Sequence, residues 1–113
     1  MTSRDEGMND ALLEGKRELP LEGIEQWQLP IELGGPVFFY LTVVQPGAIV
    51  GTHRHKRSLF RVVVSGSIIL NDGRALTAGD WMYVPAGETY SFRGGLNPGA
   101  IVYHCYGLPP TGP

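Results

Sequence analysis

The chain has 113 residues, of which 42% are hydrophobic, and this length and composition fit one globular domain. The formal net charge is only -2, and no apolar run is long enough to cross a membrane, so nucleic-acid and membrane partners are not expected. The 16 glycines and 9 prolines are spread along the chain, which is typical of many short strands joined by turns.

Charge is distributed unevenly. Residues 1–32 hold eight acidic and three basic residues, whereas residues 34–113 hold six basic and three acidic residues. A mildly basic domain of this kind attracts anionic small molecules. Cys105 is the single cysteine, which excludes an intrachain disulfide, and the N-terminus lacks the apolar segment of a secretory signal. We therefore expect a cytoplasmic protein.

Residues 1–20 are polar and charged, and we interpret them as a mobile N-terminal arm with a helical turn around residues 10–14. An arm that becomes ordered against a partner subunit is the alternative. Residues 21–113 are interpreted as a single domain.

From Trp27 onward the sequence predicts strands, because apolar and polar residues alternate or β-branched and aromatic residues cluster. Asn71-Asp72-Gly73 is a strong hairpin-turn signal. No helix is predicted after residue 20, so we expect an antiparallel sandwich or barrel. Besides the strand that carries the histidine pair described next, the predicted strands are 27–29, 31–33, 37–44, 59–64, 67–70, 75–76, 81–84, 89–92 and 100–106.

His53 and His55 are the most informative residues. They follow the turn at Pro46-Gly47 and occupy alternate positions, so a strand would point both imidazoles to the same face. Two neutral imidazoles side by side are a natural start for a metal site. The alternative is that the pair binds a ligand or a water directly.

Two spaced motifs resemble those of the cupin family. In the first, Gly47 is followed after five residues by His53-Arg54-His55, with Gly66 at the closing glycine. In the second, Gly79 is followed after five residues by Pro85-Ala86-Gly87, and then by Glu88, Thr89 and Tyr90. The resemblance covers about residues 34–106. It implies an all-β, cupin-type double-stranded β-helix, which is a jelly-roll barrel, and it implies a homodimer.

The resemblance also implies a ligand set that this chain keeps only in part. Metal-binding cupins use both histidines of the first motif, a glutamate after them and a histidine in the second motif. Here Leu59 stands at the glutamate position and Tyr90 at the second histidine position. One divalent ion (Fe, Mn, Ni or Zn) could be held by His53 and His55, with His104 on the last strand or Tyr90 as the candidate third ligand.

Arg61 shares strand parity with Leu59, on the face expected to line the barrel. A buried guanidinium needs a partner, and Glu88, Asp80 or a bound carboxylate could supply it. We expect Arg61 to orient an anionic or carbonyl-bearing ligand, unless it lies at a strand end and reaches solvent. The candidate catalytic residues are Arg61 and Tyr90. The candidate ligand-binding residues are Leu59, Arg61, Tyr90 and Phe92.

Three functions remain open at this point. The first is a metal-dependent enzyme, dioxygenase- or isomerase-like, that acts on a carbonyl- or carboxylate-bearing ligand. The second is a metal-free isomerase or lyase that uses His53, His55, Arg61 and Tyr90. The third is a non-catalytic binding or sensing module. The partners expected are a small-molecule ligand and a second copy of the chain.

Overall fold

The computed structural model describes residues 1–108. One short helix precedes a set of antiparallel strands, as expected for an all-β protein. The elements, in chain order, are α1 (Met8–Glu14), β1 (Lys16–Arg17), β2 (Ile24–Gln28), β3 (Phe39–Val44), β4 (Ile49–Arg54), β5 (Leu59–Leu70), β6 (Ala75–Thr77), β7 (Trp81–Val84), β8 (Thr89–Gly94) and β9 (Ala100–Tyr106).

The strands form one strongly curved sheet with the order β1-β2-β3-β9-β5-β8-β4, and β6 and β7 pair with β5. The first part of β5 pairs with β7 and β9, and its last residues pair with β6 and β8. Because β5 belongs to both walls, it folds the sheet back on itself. This is the jelly-roll barrel expected from the sequence.

The bend in β5 has a local cause. Its register against β9 shifts between Val63 and Ser65, and Gly66 follows with a φ of 71°. A side chain at Gly66 would overlap the carbonyl oxygen of Gly99, so the close approach of β5 to the loop before β9 requires glycine.

The core lies between the two walls and is made of alternate residues from facing strands. Its most deeply buried side chains come from β3, β5 and β9, and they are Val44, Leu59, Val63, Ile68 and Val102. On the first part of β5 the buried positions alternate with more exposed ones, which matches the predicted inward parity of Leu59 and Arg61.

Two strand predictions were wrong. Residues 31–33 lie outside any strand, in a segment with two glycines at positive φ (Gly34 and Gly35) where the chain turns before β3. Residues 59–64 and 67–70 form one strand and not two, because the chain passes a bulge between Val63 and Ser65 and Gly66 stays paired with Ala100. The Asn71-Asp72-Gly73 hairpin is confirmed: it joins β5 to β6, with Ile69 opposite Ala75.

The N-terminal segment lies against the sheet. Helix α1 buries none of its residues, while Lys16 and Arg17 pair with Trp27 and Gln26 at the edge of the sheet. The mobility of residues 1–20 stays a prediction. Within residues 1–108 no helix is long and apolar enough to cross a membrane.

Candidate functional site

A cavity of about 250 Å³ opens into the barrel between its two walls. Its apolar lining includes Leu19, Ile24 and Val50, and its polar lining carries the groups that could act on a ligand. These groups are His53 and His55 from β4 and the chain that follows it, Arg61 from β5, Tyr90 from β8, and His104 and Tyr106 from β9.

His53 and His55 meet in this cavity. Their Nε2 atoms are 3.1 Å apart, and Nδ1 of His53 lies 2.8 Å from the carbonyl oxygen of Gly51. Because that oxygen can only accept, the Nδ1 atom of His53 carries the hydrogen. The Nε2 atom of a neutral His53 therefore presents a lone pair toward His55.

Tyr90 completes a cluster of three polar groups with the histidine pair. Its hydroxyl lies 2.7 Å from Nε2 of His55. That nitrogen holds one hydrogen or one lone pair, so it cannot donate to His53 and accept from Tyr90 at once. Burial, His53 and the Arg61 guanidinium lower the pKa of His55, and burial raises the pKa of Tyr90. At neutral pH the pair Tyr90–His55 is therefore an uncharged phenol beside an uncharged imidazole.

Arg61 lies deeper in the barrel and only 5% of it is exposed. Its guanidinium carbon is 4.6 Å from the ring centre of Phe92 and 5.6 Å from that of Tyr90, so both aromatic faces stabilise the cation. Its Nη1 atom is 3.7 Å from the sulfur of Met82, which is a weak acceptor, and its buried Nε atom has no hydrogen-bond partner.

The carboxylates expected beside Arg61 are not its partners. Asp80 accepts hydrogen bonds from the backbone amide and hydroxyl of Thr77, and the ion pairs found within residues 1–108 involve other side chains. The alternative in which Arg61 reaches solvent is excluded by its burial.

His104 faces Arg61 directly across β5 and β9. The histidine is 2% exposed and stacks on Tyr40 with 5.1 Å between ring centres. Within residues 1–108, neither of its ring nitrogens has a hydrogen-bond partner. Burial, together with the positive charge of Arg61 and then smaller effects of His55 and Arg17, lowers the pKa of His104 to about 3. His104 is therefore neutral at pH 7.

The structure does not combine His104 with His53 and His55 into a three-ligand group. Among residues 1–108, no three His, Cys, Asp or Glu side chains are placed together so that they could hold an ion. Leu59 is buried in the hydrophobic core and is not part of the cavity lining, while Phe92 and Tyr90 line the cavity beside Arg61.

The sequence of the barrel strands identifies the protein family. A family model described as Cupin domain matches residues 40–101, which is more than half of the chain. The chain belongs to the cupin family. No curated protein matches its sequence.

Several solved structures resemble this cupin in fold. One is the Rhodobacter sphaeroides SigE complex with the anti-sigma ChrR, at 21% identity and a TM-score of 0.70, covering 81% of this chain and 48% of that one. KdgF from a Halomonas species has 19% identity and a TM-score of 0.67, with 80% and 84% covered. The polyketide cyclase RemF from Streptomyces resistomycificus has 19% identity and a TM-score of 0.67, with 80% and 68% covered. This chain thus spans about half the length of the first of them.

Some residues of the cavity lining, among them Tyr106 and Arg17, were not predicted from the sequence of this cupin. Arg17, from the segment interpreted as a mobile arm, lines the same cavity as Arg61. Its Nη1 atom donates to Oε1 of Gln26 at 2.7 Å, and its guanidinium lies 4.9 Å from the ring centre of Tyr40. No local pattern marks Arg17 as a cavity residue, because its position depends on the pairing of β1 with β2.

Proposed function

We propose that this cupin binds a small carboxylate- or carbonyl-bearing molecule in its barrel, with Arg61 as the anchoring residue. One observation carries the proposal. Arg61 lines the cavity and is 5% exposed, yet within residues 1–108 its guanidinium has no carboxylate partner, and its hydrogen-bond acceptor is the sulfur of Met82, which is weak. A buried charge is costly unless a counter-charge or hydrogen bonds compensate it, so a carboxylate bound in the cavity is the best explanation for this guanidinium.

The charge of the cavity supports an anionic group. Arg61 is cationic, while the acidic residues of the domain are absent from the cavity lining within the described chain. An Arg–carboxylate contact in a low-dielectric cavity forms two parallel hydrogen bonds and is stronger than a neutral contact. His104 beside Arg61 is neutral at pH 7 and adds no charge to the cavity.

A carboxylate and its neutral amide provide the direct test. Thermal-shift and calorimetric titrations would compare short carboxylic acids and 2-oxo acids with the amides of the same chain length. We expect the acids to raise the melting temperature progressively as their concentration increases and the amides to have little effect, since only the acids supply the negative charge. Equal stabilisation by acid and amide, or by neither across the panel, would refute the proposal.

The contact of 2.7 Å between Tyr90 and His55 supports a metal-free isomerase or lyase. In that reaction class the neutral His55 imidazole takes a proton from the ligand and the Tyr90 hydroxyl donates one to a carbonyl oxygen. Arg61 would hold the ligand during both transfers.

The Nε2 atoms of His53 and His55, 3.1 Å apart, support a metal-dependent candidate. Ligands at about 2.0–2.1 Å from a zinc ion lie roughly 3 Å from each other, so the pair fits two adjacent positions around one ion. A bound Fe, Mn, Ni or Zn ion would supply Lewis-acid chemistry toward a carbonyl oxygen. Leu59 provides no balancing carboxylate, and the charge of Arg61 opposes a divalent cation, so these residues would hold an ion weakly.

Equilibrium dialysis of untagged protein against Zn²⁺ separates the two candidates. The metal-dependent candidate predicts one ion per chain at micromolar free zinc, lost in His53→Ala and kept in the control Arg54→Ala, which removes an exposed side chain of the same strand. Wild-type protein that binds no zinc, or His53→Ala that binds as well as wild type, would eliminate the metal-dependent candidate and leave the acid–base one.

We also propose a homodimer formed through the outer face of β5 and β7. Trp81 is 62% exposed and Tyr83 is 59% exposed, and the Trp81 ring lies 6.1 Å from that of Phe60. Neighbouring exposed aromatic residues are typical of protein interfaces. Tyr40 on β3 is buried and stacks on His104, so it does not contribute to this outer face.

Sedimentation velocity at micromolar concentration tests the dimer. Wild-type protein is expected to sediment as a dimer and Trp81→Lys as a monomer. The lysine would place an unpaired charge in an apolar interface, and the cost of burying that charge disfavours association. Leu96→Lys is the matched control, since Leu96 is as exposed but lies in the loop before β9. A wild-type monomer would contradict the proposal. A cytoplasmic location for this dimer stays a prediction.

A further inference from the structure

Arg17 is a second arginine in the wall of the barrel cavity. It reaches the cavity because Lys16 and Arg17 alternate across β1, so that Lys16 faces outward over Trp27 and Arg17 faces Gln26 and Tyr40. Gln26 is itself buried and donates to the hydroxyl of Thr42 at 3.1 Å. The hydrogen bond from Arg17 to Gln26 therefore attaches the N-terminal segment to the inner wall of the barrel.

The position of Arg17 is at the boundary between two compartments. The inner compartment is the barrel cavity with Arg61, and the outer one is a neighbouring groove of about 370 Å³ at the barrel mouth. Arg17, His55 and Tyr106 line both of them. A ligand anchored on Arg61 can thus extend past His55 toward Arg17 without leaving the protein surface.

The charges of the two compartments agree in sign. The outer groove adds Lys56 and Arg57, and the described residues that line it include no acidic side chain. Arg57 is occupied by the carbonyl oxygens of Gly107 and Pro36, at 2.6 Å each. Arg17 is different, because its one hydrogen bond within the described chain leaves most of its five donors available.

We propose that the ligand is a dicarboxylate, with its inner carboxylate on Arg61 and its outer carboxylate on Arg17. This inference rests on the proposed function, because it takes the Arg61 contact as given. Two guanidinium groups in the lining of one cavity favour a ligand with two separated negative charges over a ligand with one. Arg17 is therefore the residue that determines specificity, and the N-terminal segment contributes it to the site.

The experiment is a calorimetric titration with straight-chain dicarboxylates from malonate to adipate, each paired with the monocarboxylate of the same chain length. The readout is the ratio of the two affinities at each length. We expect wild-type protein to bind the best-fitting dicarboxylate about tenfold more tightly than its monocarboxylate, as one additional partly exposed charge-assisted contact allows. The optimum length measures the separation of the two arginines in the complex.

Arg17→Gln is expected to reduce this ratio to near one, because glutamine keeps a polar side chain but removes the charge. Lys16→Gln is the matched control: it removes the same charge from the same strand, but from the outward side where Lys16 pairs with Glu25. The control is expected to keep the wild-type ratio of dicarboxylate to monocarboxylate affinity. A loss of the ratio in Arg17→Gln alone would then indicate a direct contact and not an effect of net charge.

The two proposals fail in different ways. If wild-type protein binds monocarboxylates but prefers no dicarboxylate, the dicarboxylate inference alone is overturned. The same holds if Arg17→Gln keeps the preference or if Lys16→Gln loses it equally. If wild-type protein binds neither class of acid, the proposed function is overturned together with the inference that rests on it. The melting temperatures of both variants without ligand confirm that they are folded.

Discussion

Arg61→Met is expected to unfold at a higher urea concentration than wild-type protein in the absence of ligand. The wild-type guanidinium is almost fully buried, its Nε atom has no partner, and its Nη1 atom contacts only the weakly accepting sulfur of Met82. Removing a buried charge that lacks a carboxylate partner removes a desolvation cost, and methionine fills a similar volume. Contacts with Phe92 and Tyr90 offset part of the gain, so we expect an increase of about 1–2 kcal/mol in the free energy of unfolding.

The same substitution is expected to weaken carboxylate binding about a hundredfold, since it removes a charge-assisted, two-point contact inside the barrel. Opposite effects on stability and on binding are the signature of a functional residue that the fold itself does not need. Arg93→Met is the control, because Arg93 is exposed on β8 and its loss should change stability by no more than about 0.5 kcal/mol. An Arg61→Met protein that is less stable than wild type, or that binds acids normally, would show that Arg61 is a structural residue.

The second large effect expected is a loss of stability when the pH falls from 7 to 4.5. His104 has a pKa of about 3 in the folded protein against an ordinary value of 6.5, so between these values the unfolded chain binds a proton that the folded protein excludes. The stability is therefore fully present above pH 6.5 and decreases as the pH falls toward 3. For one such group the decrease between pH 7 and 4.5 is about 2 kcal/mol.

The groups around His104 account for this effect. Arg61 lies opposite it, Arg17 adds positive charge, and Tyr40 stacks on its ring. Among residues 1–108 the charged groups that act on His104 are all basic, so none of them stabilises an imidazolium. The pKa of His55 is also lowered and contributes in the same direction. The pKa values of Asp5 and Asp72 are also lowered from their ordinary value of 3.8. These carboxyl groups therefore affect the stability only below the pH range from 7 to 4.5.

Urea denaturation at several pH values between 7 and 4.5 measures this dependence. His104→Asn is expected to reduce the slope of stability against pH, whatever its effect on stability at pH 7, because asparagine does not titrate. The nuclear magnetic resonance signals of the His104 ring give a second measurement, and they should not titrate between pH 8 and 5. A wild-type stability that is constant over this range, or a His104 signal that titrates near pH 6.5, would contradict the prediction.

Much of the fold could be predicted from local patterns. Alternation with a period of two correctly placed Leu59 and Arg61 on the inner face of their strand, and the Asn71-Asp72-Gly73 signal placed the hairpin. The errors occurred at glycines. Gly66 was interpreted as the end of a strand although it continues β5 just after a bulge between Val63 and Ser65, since a positive φ fits both structures and only the pairing with β9 distinguishes them.

The candidate site could be predicted only in part. Motif spacing brought His53, His55 and Tyr90 together correctly as a group of neighbours, because β4 and β8 pair with His53 opposite Tyr90. The predicted partners of Arg61 were not found beside it, and the orientation of His104 could not be predicted at all. A residue near the end of the last strand can face either way until the register of that strand against β5 is known.

The sequence by itself determined the strand pattern, the family and the position of the histidine pair, because these depend on spacings within short segments. Only the tertiary structure decided that Arg61 meets His104 and that Arg17 closes the same cavity. Those neighbours come from strands far apart in the chain, β5 with β9 and β1 with β2, and their register is set by how the whole barrel closes. The histidine pair therefore locates the cavity, while the two arginines, whose proximity no local pattern indicates, determine the ligand that we propose for it.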